Sequence, residues 1–447
     1  MNRAHARRTS FDRRFEHSLA AACLVATSVL AHAMPRVHDD PAPAALVWPQ
    51  RVPIAGASGV IIERAAPGWW VQRHAIEDDE RDLSRPDNLH DIGPKEGIAD
   101  VVDAFQLPTG ERLFREGDGV SFVSCHPEPY GDPTCGSPAF VLEFASRTAP
   151  SEREPRSVLQ RTSFGVWRPT DEPARGLALV LPGMLGTPEP VLDAMTRALA
   201  DRGWLVVRAL NLPSRHTERV ELAIDPGDDA SVARAASDLA LAINDRIAEM
   251  ALATEAVLAE VERREPGLRE LPRIAIGCSG GAIMLPTTLA RDLPAYDAAV
   301  LIAGGVNFAE MVERSSYADM LDIVRLNWTT PPTAEQRAAF FAAVREHATL
   351  DPWHTAPLVR DSGMPILMIH ASRDAAVPAD LGDALWERMG RPKRWSTPVG
   401  HELVFMTLPA RFPKMLDWVE SAITAQPHAK DARNPTPESR PKAHDDE

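Results

Sequence analysis

A serine flanked by glycines, Gly277-Cys278-Ser279-Gly280-Gly281, follows the β-prone run Ile274-Ala275-Ile276 and leads into the helix-compatible Ala282-Ile283-Met284. Gly-x-Ser-x-Gly between a strand and a helix makes a turn so tight that the serine takes a strained backbone angle. Gly277 and Gly281 then make room on either side, and the Ser279 hydroxyl projects from the strand end. That hydroxyl is a weak nucleophile until a neighbouring base takes its proton, and the base itself needs orienting. Both partners can be named. Asp374 stands in the turn Ala371-Ser372-Arg373-Asp374 after the strand-like Pro365–His370, and His401 in the loop Thr397-Pro398-Val399-Gly400-His401. Together they make a nucleophile, a base and an orienting acid, the set required for acyl transfer.

Each residue has a competitor. Ser279 can be read as a phosphate-cradling turn residue, but no lysine follows it as in a nucleotide loop. Asp380 competes with Asp374, which can also be a helix cap. His370 and His354 compete with His401; His370 lies inside a strand run and suits packing. Cys278 neighbours the nucleophile, but its side chain points away from the tip of such a turn, so it reads as filler.

These residues need a scaffold that brings distant strand ends together. From Phe140 the chain alternates short apolar runs with longer helical segments, as in a mostly parallel sheet covered on both faces. Phe140–Phe144 and Ser163–Trp167 open it as a pair of strands. Leu177–Leu181, Leu205–Leu210, Ile274–Ile276, Ala298–Ala303 and Ile366–Ile369 continue it, and a last strand is expected around Lys393–Ser396. Glu189–Ala200 places Leu192, Met195 and Leu199 on one helical face. A long helix from Ser231 to about Arg264 carries Val232, Leu239, Ile243, Ile247 and Met250 at helical spacing and stops at Pro266-Gly267. Residues 306–362 exceed what a plain crossover needs and are expected to form a helical cap. Its Trp328, Phe340, Phe341 and Trp353 suit packing of the cap more than a pocket lining.

The chain from about Phe140 to Ala425 resembles the α/β-hydrolase superfamily. The resemblance rests on Leu181-Pro182-Gly183-Met184 after an early strand, the Ser279 turn, the Asp374 turn ending in Val377-Pro378, the Gly400-His401 pair, and the chain order Ser, Asp, His. It implies a Ser279–His401–Asp374 triad with backbone N–H groups of Met184 and Gly280 as the oxyanion hole. It also implies an acyl-enzyme and no metal or cofactor. Pro182-Gly183 replaces the His-Gly common there, and no triple-glycine loop is present. A small-molecule or lipid-like carboxylic ester leads as substrate. Amide or peptide cleavage by the same triad stays open, and so does a non-catalytic binding role.

The 447 residues carry 48 Lys and Arg against 63 Asp and Glu, a formal net charge of −15, which argues against a nucleic-acid binder. With 44% hydrophobic and 25% charged residues, wholesale disorder is excluded. Arg3, Arg7, Arg8, Arg13 and Arg14 precede an apolar run from Leu19 to Ala31 and then Ala31-His32-Ala33. This reads as an export signal cleaved after Ala33, leaving no integral membrane segment. A lipid anchor on Cys23 is disfavoured, because only Leu19–Ala22 precede it as apolar residues. In an oxidising compartment Cys125 and Cys135, close together in a loop-rich stretch, are expected to pair. Residues 34–138 read as an irregular or β-rich extension, 139–425 as the hydrolase-like domain, and 426–447 as a disordered tail.

Overall fold

Gly176–Leu181 and Ile366–Ala371 are buried at every position. Strands covered on both faces belong in the middle of a sheet flanked by helices. The computed structural model describes residues 45–52, 59–64, 70–74, 122–126, 138–149, 159–169, 173–184, 187–210, 212, 216 and 219–425. The expected export signal, Cys135 and hence its pairing with Cys125, and the expected tail all lie outside the described residues.

The strands are β1 (Arg51–Val52), β2 (Gly59–Arg64), β3 (Trp70–His74), β4 (Phe122–His126), β5 (Phe140–Thr148), β6 (Leu159–Trp167), β7 (Gly176–Leu181), β8 (Trp204–Ala209), β9 (Val220–Ile224), β10 (Arg273–Cys278), β11 (Ala298–Ile302), β12 (Val324–Trp328), β13 (Ile366–Ala371) and β14 (Lys393–Thr397). The helices are α1 (Glu189–Ala200), α2 (Asp229–Arg264), α3 (Gly280–Arg291), α4 (Phe308–Arg314), α5 (Ala318–Leu321), α6 (Ala334–His347), α7 (Pro352–Asp361), α8 (Ala379–Arg388), α9 (His401–Thr407) and α10 (Phe412–Ala425).

The main sheet runs β1-β5-β6-β8-β7-β10-β11-β13-β14, with β2 also on β5. From β8 to β14 every pairing is parallel, whereas β6 meets β8, and β5 meets β6, antiparallel. Alternate residues feed two apolar layers. Leu177, Leu179, Leu181, Leu301 and Met368 face one layer with Leu239, Ile243 and Ile247 of α2 and Ile283 of α3. Ala178, Val180, Ile276, Val300 and Ile369 face the other with Leu192, Met195 and Leu199 of α1 and Met415 and Val419 of α10. The helical spacing of those apolar residues therefore corresponds to the faces laid on the sheet. α2 is capped by Asp228, whose side chain accepts from Ala230 N, and stops before Pro266.

Two features extend the sequence reading. Part of the N-terminal extension joins the main sheet: Val52 pairs with Arg147 and Gly59 with the adjacent Ser146, so β1 and β2 cover one edge of β5 end to end. This edge would otherwise expose unpaired backbone groups. Arg51 fastens it to α2, with Nη1 2.6 Å from Asp245 Oδ1 and Nη2 3.3 Å from Glu249 Oε2. The insertion after β11 holds helices α4 to α7 but also strand β12, which pairs in parallel with β9 as a separate two-stranded sheet.

Candidate active site

β7, β10, β13 and β14 are parallel, so the segments that leave their carboxyl ends emerge on one rim of the sheet, where such sheets hold their ligands. Pro182–Met184 follows β7, Ser279 follows β10, Asp374 follows β13 and His401 follows β14.

Ser279 sits between β10 and α3 with φ 51 and ψ −117, a left-handed conformation that costs a non-glycine residue of order 1–3 kcal/mol. Neighbouring bonds hold it there: its N–H donates to Ile302 O at 2.8 Å, and its carbonyl accepts from Ile283 N at 3.0 Å. The flanking glycines are required by contact. A Cβ on Gly277 would stand 2.7 Å from Gly281 O, and one on Gly281 would collide with Leu181 O. The serine is thereby raised off the strand with its side chain free to meet a base.

The group that meets it is His401, whose Nε2 is 2.9 Å from Ser279 Oγ. Its Nδ1 is 2.7 Å from Asp374 Oδ2. An ionised carboxylate can only accept, so the network assigns the proton to Nδ1 and leaves Nε2 to accept from the serine. Asp374 is aimed by its own turn, its Oδ1 accepting from Ala376 N at 3.0 Å and Val377 N at 2.8 Å. The side chains of His401 and Asp374 are only 2% and 3% exposed, so their contact is shielded from water. In such a site a hydrogen bond between charged partners is stronger than at the surface.

The loop after β7 lies against Ser279. A Cβ on Gly183 would stand 2.9 Å from Ser279 Cβ, and one on Gly280 would stand 3.1 Å from Met184 N. The backbones of Met184 and Gly280 thus approach side by side next to Ser279. Gly280 is the first residue of α3, where backbone N–H groups have no partner within the helix and favour negative charge.

The competing residues stand elsewhere. His370 is buried within β13, and burial and then the Arg394 charge hold its pKa below the ordinary histidine range. His354 Nε2 contacts Arg345 O at 2.6 Å, and Asp380 pairs with Arg314 at 2.7 Å. Cys278 is a buried free thiol in the apolar layer with α1 and α10, and burial pushes its pKa up to about 12. The cap aromatics pack on one another or on cations: Trp328 against Phe340 at 5.5 Å, Phe340 against Phe341 at 5.3 Å, and Trp353 against the guanidinium groups of Arg345 and Arg388. Among the described residues no group of three or more His, Cys, Asp or Glu gathers to hold a metal, and no helix is long and apolar enough to cross a membrane.

Three contacts escaped the sequence reading. His216 is buried with Nε2 3.0 Å from Met184 Sδ and its ring edge-on to Phe308. Asp351, also buried, accepts from Asn307 N, Phe308 N and Trp353 N at 2.7–2.9 Å, tying the start of the cap to α7. Tyr317 lies edge-on to His401 at 6.2 Å and donates its hydroxyl to Glu402 Oε1. Glu402 had a signal, since it adjoins His401; His216, Asp351 and Tyr317 had none.

No family model and no curated protein matches the chain. Solved structures do resemble it. Est1E from Butyrivibrio proteoclasticus is 13% identical, with 58% of this chain and 95% of that chain covered and a TM-score of 0.37. A carboxyl esterase from Bacillus coagulans is 12% identical over 62% of this chain and 99% of its own, with a TM-score of 0.37. The acylaminoacyl peptidase of Pyrococcus horikoshii is 12% identical over 66% of this chain and 50% of its own, with a TM-score of 0.38. The fold assignment rests on the chain's own architecture: a mostly parallel sheet covered on both faces, a strained serine turn after β10, and Ser, Asp and His in that order at the strand ends. The described chain has the α/β-hydrolase fold.

Proposed function

We propose that this chain is an exported serine hydrolase that cleaves carboxylic esters. The observation that carries the reading is Ser279, held at φ 51 on the turn with its Oγ 2.9 Å from His401 Nε2. Such a strained residue persists only where the surroundings over-determine it, and here they deliver the hydroxyl to a base.

In this reading Ser279 Oγ attacks the acyl carbon while His401 Nε2 takes its proton. Asp374 stabilises the imidazolium and keeps the ring in the required tautomer. The backbone N–H groups of Met184 and Gly280 receive the oxyanion, each donor worth about 2.7–4 kcal/mol in a comparable site. His401 then protonates the departing alcohol. Water, deprotonated by the same imidazole, attacks the acyl-enzyme and releases the acid, restoring the serine.

The substrate class is a small-molecule or lipid-like acyl ester. The basic and apolar leader ending at Ala33 supports export, and an oxidising destination suits a Cys125–Cys135 bridge. The test is a panel of p-nitrophenyl acyl esters beside aminoacyl anilides, run on wild type and Ser279→Ala. Ester turnover that disappears in the variant is expected. Anilide turnover with inert esters would overturn the ester assignment, and no turnover of either would overturn the hydrolase.

A further inference from the structure

The short turn between α4 and α5 reaches back from the insertion onto the triad. Tyr317 N donates to Ser315 Oγ at 3.1 Å and Ala318 N to Ser315 O at 3.0 Å, so Ser315–Tyr317 is a closed turn on a buried serine. This turn touches both loops that carry the acid and the base. Ser316 N donates to Ala375 O at 2.7 Å, one residue past Asp374. Tyr317 donates its hydroxyl to Glu402, one residue past His401, and sets its ring at 89° to the imidazole. Arg314, just before the turn, bridges to Asp380 in the first turn of α8 at 2.7 Å. That pair is half exposed and contributes little by itself.

The asymmetry of the imidazole's surroundings gives these contacts their meaning. His401 is held in the ring plane by Asp374 at Nδ1, and its ring meets that of Phe405 in a T-shaped contact at 5.2 Å. α9, which begins at His401, has only seven residues and no side-chain cap at its start. So short a helix gains little from its own hydrogen bonds. The orientation of its first residue therefore depends on external contacts. Glu402 supplies one, and the phenol bond holds its carboxyl below the usual carboxylate range, keeping it ionised as an acceptor.

We propose that Ser315–Tyr317 is a clasp from the insertion that fixes His401 relative to Asp374, with Tyr317 a positioning residue acting through Glu402. The inference rests on the serine hydrolase reading above. Tyr317 makes no proton transfer; it limits the ring positions open to His401, and small misplacements of a general base are costly.

The experiment measures ester turnover, thermal stability and fluorophosphonate labelling in wild type, Tyr317→Phe, Glu402→Ala, Glu402→Gln and the Tyr317→Phe/Glu402→Ala double variant. Tyr317→Phe keeps the ring and loses only the hydroxyl, so it is expected to fold. The expected result is a kcat loss of about five- to tenfold in Tyr317→Phe and in Glu402→Ala, the size of one net hydrogen bond, with KM within about twofold. The double variant should lose no more than either single one, and Glu402→Gln, which still accepts from the phenol, should recover most of the loss. Additive losses, a change confined to KM, or unchanged kcat in Tyr317→Phe would overturn the clasp while leaving the hydrolase intact. Wild type that is neither labelled nor active would instead overturn the function on which the clasp rests.

Discussion

Asp374 and His401, 27 residues apart, meet through a 2.7 Å contact between Oδ2 and Nδ1, while the second carboxylate oxygen is held by two backbone N–H groups of the aspartate's own turn. One oxygen anchors the aspartate and the other orients the imidazole. The imidazole is therefore fixed from behind by a group that cannot swing away, and its free nitrogen is turned to Ser279.

Asp374→Asn keeps this shape but offers an amide where Nδ1 needs an acceptor, favouring the wrong tautomer. A kcat loss on the order of 10⁴ is expected with little change in stability, read from steady-state kinetics and thermal unfolding. A loss below tenfold would remove Asp374 from the mechanism.

Cys278 is expected to be chemically silent. Its thiol is buried and its pKa is pushed up to about 12 by that burial, so almost no thiolate forms near neutral pH. Peptide mapping after iodoacetamide treatment should find Cys278 unmodified in the native chain and modified in denaturant. Cys278→Ala should retain phosphonate labelling that Ser279→Ala loses.

Gly281→Ala places a methyl group against Leu181 O, a backbone atom that cannot yield cheaply. A destabilisation of about 1–3 kcal/mol is expected from chemical denaturation, with loss of activity. Gly267→Ala meets nothing within 4 Å and serves as the control for a harmless methyl.

The N-terminal edge carries a pH dependence of its own. Burial raises the Glu249 pKa from an ordinary 4.5 to about 7, against the opposing pull of Arg51 and the Ser146 hydroxyl. The folded chain thus holds a proton that the unfolded chain has released between these values. The stability from that proton is fully present below pH 4.5 and is lost as pH rises to about 7, amounting to ~3 kcal/mol. Tm should accordingly fall more between pH 5 and pH 8 in wild type than in Glu249→Gln. Parallel pH profiles for the two proteins would contradict this origin.

The parts of the fold legible in the sequence are those whose signals are local. The central parallel strands β7 and β11 are apolar throughout, α1 and α2 have apolar stripes and definite ends, and the serine turn is spelled out by consecutive residues. Asp374 and His401 were legible because each follows a recognisable strand. The pairing of β1 and β2 with β5 was not, since Arg51–Val52 is too short to carry a period and its partner lies more than ninety residues on. β9 did alternate, with Val220, Leu222 and Ile224 buried and Glu221 and Ala223 exposed, but five residues before a long helix are a weak signal. Tyr317 and His216 were hidden for a different reason: their roles exist only through partners that folding brings to them.

Covalent capture of Ser279 tests the central claim most directly. Native protein is treated with a fluorophosphonate and analysed by intact mass and peptide mapping. One phosphonyl group on Ser279 is expected, abolished in Ser279→Ala and slowed in Asp374→Asn. Native protein that stays unlabelled, or that is labelled equally in Ser279→Ala, would contradict the account.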